Sequence, residues 1–362
     1  MSRLVLGMSL LVCLLVAQPS WATEPIPVKV VVLSMFEHGE LIGDRPGEFQ
    51  FWVERVPLDQ QFDFPLAPFP LRYHASGVLG VCIGGGVANA AATVMALGLD
   101  PRFDLSSSYW LISGIAGGDP QDTTLGSAVW AQNVVDGDLL YEIDGREIPS
   151  HWPYGMVPLG GEYPAQTPED LETGWTLDNI HIPLNSELAQ WAYQQTRLLK
   201  IEDSLPLQRA RAPYIGYAAA QAPPMVMMGD TLSASTYWHG TLLNGWANDW
   251  VALYAGEAAN FVTSNMEDSG TLTSIKRLDG VGQADMNRVM VLRTVSNFTL
   301  PPRGQSAAWS ATAEYAGNGV PALEAAYQVG KVVVDQLLEN WQDYRYKPPA
   351  PDTSPVAQYS GG

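Results

Sequence analysis

Short, fully apolar blocks alternate along the chain with stretches of helical period, and Gly or Pro separates most of them. Residues 28–34 (VKVVVLS) read as a β-branched, buried strand that ends in the polar run 35–40 (MFEHGE). A turn-like GDRPG follows at 43–47. Residues 78–83 predict a second strand, leading through Gly84, Gly85 and Gly86 into a helix over about 88–97. A third strand at 108–113 (SYWLIS) runs into a Gly loop at 114–118, and a fourth covers 127–133. Residues 145–180, rich in Pro, Gly and Trp, read as a long excursion with little regular structure. A helix is expected over 185–199, strands at 225–228 and 289–295, and a helix at 268–278 between those two strands. Pro321 opens a long helix to about Trp341, with Leu323, Ala326, Tyr327, Val333, Val334, Leu337, Leu338 and Trp341 at 3–4 spacing. Strands alternating with helices predict an α/β fold with a largely parallel or mixed sheet. No repeat and no dividing linker interrupts this pattern, so one domain is expected over 23–343. The Pro-rich tail 344–362 is expected to be disordered or wrapped over a surface.

The first 22 residues follow a different pattern. One positive charge (Arg3), an apolar run over 4–17 and a small-x-small end at Ser20, Trp21 and Ala22 read as a secretory signal peptide. The apolar run continues past Cys13, which argues against lipid attachment there. Cleavage after Ala22 removes Cys13 and leaves only Cys82, so no intrachain disulfide is expected. The mature protein is expected to be exported, periplasmic or extracellular. Its most apolar stretch, 78–99, spans 22 residues without a charge, yet three consecutive glycines and Asn89 favour strand, loop and helix over a transmembrane span. A membrane-embedded transporter is therefore excluded.

Charge narrows the partners. Against 19 Lys and Arg stand 38 Asp and Glu, a net −19 that becomes −20 once Arg3 is removed. Such a chain repels phosphate backbones and anionic membrane surfaces, so nucleic acid is not an expected partner. Five His without metal-ligand spacing and a single mature Cys give no zinc site. Neither a G-x-S-x-G elbow nor a Walker loop is present. No metal and no cofactor are expected.

The glycine segments carry the chemistry that remains. Gly84-Gly85-Gly86 invites a dinucleotide reading, but Asn89 stands where the third Gly belongs. Asp104 also precedes the next strand instead of ending one. What survives is backbone brought close to something at the strand ends, with amides available. The segment 113–118 (SGIAGG) lies at the same edge, and a third polar strand end is 293–297 (RTVSN). Together they predict a converging pocket at the carboxyl ends of the strands.

SGIAGG, the MED at 266–268 and the LRTVSN at 292–297 resemble the nucleoside phosphorylase and nucleosidase superfamily. With MFE at 35–37, GGGVANAAAT at 84–93, FDL at 103–105 and REIP at 146–149, the chain resembles the purine nucleoside permease family of bacteria and fungi. The match covers nearly the whole mature chain. The resemblance implies a three-layer sandwich around a central mixed sheet and a purine nucleoside as ligand. Met266 and Glu267 match the pair that grips the sugar, the carboxylate accepting both ribose hydroxyls; a helix N-terminal acid complementing the dipole is the plainer alternative. Asn297, beside Ser296, stands where nucleosidases place an Asp against N7 of the base. An amide donates there but delivers no proton, which tilts the preference towards 6-oxopurines; capping a turn is its alternative. Tyr237 and Trp238 lie where an aromatic stacks on the base, unless they are core. Gly85 and Gly117 are expected to line the ligand.

In the related phosphorylases an Arg and a Ser hold phosphate where this chain has Ile112 and Ile115. Water is the expected nucleophile, with Glu37 the preferred general base by position and Glu40 and Glu48 as alternatives. Arg45 could rescue a phosphate site. The expected function is cleavage of the N-glycosidic bond of a purine nucleoside, with phosphorolysis less favoured. The alternative is a non-catalytic, exported nucleoside-binding component of uptake. A homo-oligomer is compatible with both.

Overall fold

The computed structural model describes residues 24–352 apart from 165–166, 169–170 and 172–177. The expected signal peptide and the end of the Pro-rich tail lie outside the described residues. The core is a ten-stranded mixed sheet, and its strands and flanking helices come in the following chain order. β1 (Val30–Ser34), α1 (Gln50–Arg55), β2 (Gln60–Phe62), β3 (Leu71–His74), β4 (Val78–Cys82) and α2 (Val87–Gly98) form the first part. β5 (Tyr109–Gly118), β6 (Ala128–Asp136), β7 (His181–Pro183) and α3 (Ser186–Thr196) follow. β8 (Val226–Ser233), α4 (Thr241–Ala255), β9 (Phe261–Asn265), α5 (Asp268–Asp279), β10 (Val289–Phe298) and α6 (Val320–Glu339) complete it.

β1 shows why the apolar blocks become central strands. Every residue in it is buried, as expected for a strand covered on both faces. Val31 and Leu33 join Val81, Val94, Leu97, Leu272 and Ile275 under α2 and α5. Val30 and Val32 point the other way, to Trp52, Leu188, Val333 and Leu337 under α1, α3 and α6. Two helical layers thus enclose the sheet, as the resemblance implied.

The sheet does more than lie between helices. β5 pairs with β9, β9 with β8, β8 with β6, β6 with β10, and β10 returns to β5, which closes a five-strand ring. β1, β4, β3 and β2 extend from β5 as an open wing. β5 belongs to both parts. It pairs with β1 through Ile112 and with β9 only at Gly117 and Gly118. The two neighbours diverge between those points, and the sheet opens there.

The expected Gly loop at 114–118 is therefore strand: β5 runs unbroken to Gly118. Its glycines serve close approach, because a Cβ on Gly114 would stand 2.7 Å from Glu48 Oε1 and 2.8 Å from Arg293 Nη1. The elements α1, β2, β3, β7, α4 and β9 had no counterpart in the sequence reading. Asn244, Gly245, Asn248 and Asp249 break the apolar period of α4, and Asn244 and Asn248 are used instead to hold the buried Asp119 carboxylate at 2.7 and 2.9 Å. In the tail, the Tyr344 carbonyl accepts from Tyr109 and Arg288, and the Asp352 backbone pairs with Gln194 on α3. Its described part is wrapped over the surface. Cys82 is a buried free thiol whose pKa burial pushes up to about 12. Among the described residues, no helix is long and apolar enough to cross a membrane.

Candidate functional site

A cavity of about 330 Å³ opens where β1 and β9 part along β5. Its walls come from the carboxyl ends of β1, β9 and β10 and from the 36–48 and 315–323 segments, the switch-point position at which open α/β sheets bind ligands. Six of the expected residues line this cavity or its lip: Gly117, Tyr237, Met266, Glu267, Ser296 and Asn297.

Glu267 is positioned by α5. Asn265 Oδ1 accepts the amides of Glu267 (3.1 Å) and Asp268 (3.0 Å), turning the chain out of β9 and starting the helix. The Glu267 carboxylate accepts from the amides of Gly86 (3.2 Å) and Met266 (3.2 Å) and from Arg293 Nη2 (3.3 Å). Gly86 has φ +86°, a left-handed conformation that aims its amide at this carboxylate. The triple-glycine loop therefore cradles a side chain and not a phosphate. Gly85 stands behind Glu267 and does not line the cavity; its carbonyl is taken by Asn89. Burial raises the Glu267 pKa, partly offset by Arg293.

Asn297 extends from the end of β10. Its Nδ2 donates to Tyr237 Oη (3.0 Å) and to the Phe298 carbonyl (3.2 Å), and its Oδ1 accepts from Ser296 Oγ (2.9 Å). The amide is thus fixed in orientation beside the Tyr237 ring. Trp238 points elsewhere, packing against Trp246 (5.8 Å) and Phe261 (6.1 Å). It borders a void of about 20 Å³ behind the cavity. Adjacent residues on an extended segment face opposite ways, which sequence position alone does not resolve.

The three carboxylates offered as general base separate clearly. Glu37 turns away from the cavity and accepts amides from His38 (2.9 Å), Phe49 (3.0 Å), Gln50 (2.5 Å) and Gly47, bracing the loop that leads into α1. Glu40 is exposed, and its amide is bound by Asp44. Glu48 lines the cavity and is 7% exposed. Its Oε2 accepts from the Met35 amide (2.7 Å) and its Oε1 from the Ile115 amide (2.7 Å). It therefore plugs the gap where β5 lacks a neighbour, satisfying an amide that a strand partner would otherwise bind.

Arg293 completes the floor. Its guanidinium is 1% exposed and pairs with Asp268 through Nη2–Oδ1 (2.5 Å) and Nε–Oδ2 (3.2 Å), while Nη1 donates to the Ile115 carbonyl (3.0 Å). Burial disfavours its charge, but Asp268 and Glu267 more than offset this and its pKa lies above the ordinary value. Three buried carboxyl groups thus surround one cation. Burial, reinforced by Glu267 and opposed by Arg293 and the two amides, pushes the Glu48 pKa up to about 7. Arg293, Asp268 and Asn265 were not candidates from sequence. The signal available was a lone Arg inside an otherwise apolar strand run, MVLRTV, which demands a buried acid.

A family model described as "Purine nucleoside permease (NUP)" matches residues 27–349. A Candida albicans protein named "Purine nucleoside permease" is 28% identical over 311 residues, covering 82% of this chain and 75% of that protein. A Schizosaccharomyces pombe protein named "Probable purine nucleoside permease" is 29% identical over 265 residues, covering 71% and 75%. Among solved structures, the futalosine hydrolase of Helicobacter pylori superposes with a TM-score of 0.50 at 14% identity, covering 86% of this chain and 99% of that one. That likeness concerns the fold alone. The family match spans the strands, the cavity and the wrapped tail alike, and the chain belongs to the purine nucleoside permease family.

Proposed function

We propose that this chain binds a purine nucleoside in the cavity and hydrolyses its N-glycosidic bond. The observation that carries the reading is Glu48, a buried carboxyl group with a pKa near 7 at the cavity wall beside Glu267. Poised near neutrality, it suits the task of taking a proton from water. A buried carboxylate in that place also repels phosphate, and Ile115 presents only an amide where an Arg or Ser would hold the anion.

In this reading Glu267 accepts the vicinal ribose hydroxyls, held in place by Gly86, Met266 and Arg293. Asn297 turns the N–H that it gives to Tyr237 Oη towards the purine ring, and the Tyr237 ring packs on the base. Glu48 removes a proton from water as oxygen bonds to C1′, and the C1′–N electrons leave with the base. The base then takes its proton from solvent, since an amide has none to give. The names of the fungal relatives support a purine nucleoside as ligand.

Chromatography of inosine, guanosine and adenosine incubated with the protein, with and without phosphate, tests this. Free base plus ribose under both conditions is expected, and Glu267→Ala should lower kcat/KM at least 100-fold. Base formed only with phosphate, as ribose 1-phosphate appears, would overturn the hydrolytic step. The fixed, non-acidic Asn297 and the relatives' permease name favour a second reading, capture of nucleosides for uptake without turnover. Calorimetric binding with no base released over hours would select it.

A further inference from the structure

We propose that Arg45, with His38 on the same rim loop, forms an oxyanion subsite that receives the 5′-phosphate of a purine nucleoside 5′-monophosphate. This rests on the nucleoside-cleaving reading and extends it to a substrate class. Arg45 is the only Arg or Lys among the residues lining the cavity. Elsewhere Arg55, Arg102, Arg211, Arg288 and Arg293 each pair with an acid. Arg45 is exposed, and among the described residues no side chain bonds to it. Among the described residues, exposed Arg197, Arg209 and Arg277 also form no ion pair, but Arg45 alone of these lines the cavity.

The loop that carries it is held in place. Glu37 binds the amides of Gly47, Phe49 and Gln50, and Asp44 Oδ2 accepts from the Glu40 amide at 3.0 Å. Phe36 supports His38 edge-on, at 5.2 Å between centroids. The loop also stands apart from the wall assigned to the base. Tyr237, Ser296, Asn297 and Tyr315 border a second hollow, and none of Phe36, His38 or Arg45 does. With the base against Asn297 and the diol on Glu267, the sugar's 5′ carbon is left to face the 36–45 rim. A guanidinium binds phosphate oxygens in a fork, and an imidazole adds a further hydrogen bond. Covalent attachment to the nucleoside delivers the anion there, so Arg45 need not draw free phosphate towards a strongly acidic chain. Free phosphate shares the same chemistry, and the test separates the two.

The experiment compares inosine with inosine 5′-monophosphate on the wild-type protein and on Arg45→Ala, with inorganic phosphate varied. The expected result is a kcat/KM at least tenfold higher for the monophosphate, with the ratio falling about tenfold or more in Arg45→Ala. A ratio unmoved by the substitution overturns the subsite. So does cleavage of inosine that requires inorganic phosphate and is abolished in Arg45→Ala. Where neither compound is cleaved, the hydrolytic reading fails and calorimetry decides the subsite. Tighter binding of the monophosphate, abolished by Arg45→Ala, then upholds it, and equal affinities overturn it.

Discussion

Glu48→Gln lowers kcat/KM for nucleoside hydrolysis by about 100- to 10,000-fold, the usual contribution of a positioned general base. The wild-type rate rises with pH through about 7 as Glu48 loses its proton, then levels off. The variant lacks that rise. Stability carries the same group with the opposite trend. Because the folded pKa lies above the ordinary 4.5, the folded chain holds this proton more tightly than the unfolded chain does. The group's stabilising contribution is full below about pH 4.5 and is lost as pH rises through about 7. Thermal unfolding between pH 4.5 and 8 should therefore show a downward component in the wild type that Glu48→Gln removes. Glutamine keeps one oxygen for the Met35 or Ile115 amide and sets an NH2 against the other, so its stability at the acid end falls below that of the wild type. A variant with activity within tenfold of wild type and an unchanged pH profile would exclude Glu48 as the base.

Arg293→Met destabilises the fold by about 3–5 kcal/mol, the cost of removing one partner from a buried ion pair. The side chain touches Asp268, Glu267, Asn265 and the Ile115 carbonyl, and none of these has an alternative cation within the floor. Urea denaturation at pH 7 measures the loss. Adding Asp268→Asn to Arg293→Met recovers part of it, because one fewer buried negative charge remains unpaired. The Glu48 pKa should also climb in Arg293→Met, since the guanidinium is the largest of the influences that oppose burial there. A loss under about 1 kcal/mol would mean that water reaches the floor and the cluster is not desolvated.

The two-sided burial of β1 and the span of α6 were legible because a continuous β-branched run and a 3–4 apolar spacing each map onto one element. Met266, Glu267, Ser296 and Asn297 were legible through the MED and LRTVSN motifs that carry the family resemblance, while of the two strands that bring them together only β10 was expected. The preference for Glu37 over Glu48, offered only as an alternative, did not match the cavity, and the reason is geometric. Glu37 is nearer the end of β1, but the chain turns after Met35 and spends that carboxylate on its own loop amides. Glu48, thirteen residues beyond Met35, returns to bind the Met35 amide. A return of this kind depends on where β1 and β5 diverge, and pairing divergence leaves no local mark in sequence. β9 escaped notice because five residues with a polar end carry too little pattern. The expected glycine loop at 114–118 became strand because small residues there make room for side chains crossing the backbone.

The opening along β5 turns one backbone amide into a spectroscopic reporter. Ile115 donates its N–H to Glu48 and lends its carbonyl to Arg293, so the backbone of this one residue links the acid and the cation. The shielding of that amide proton and its nitrogen follows the charge on Glu48 directly. An isotope-edited spectrum recorded across neutral pH would therefore trace the carboxyl group's titration curve at a single resonance. No substrate, turnover or substitution is needed to read it.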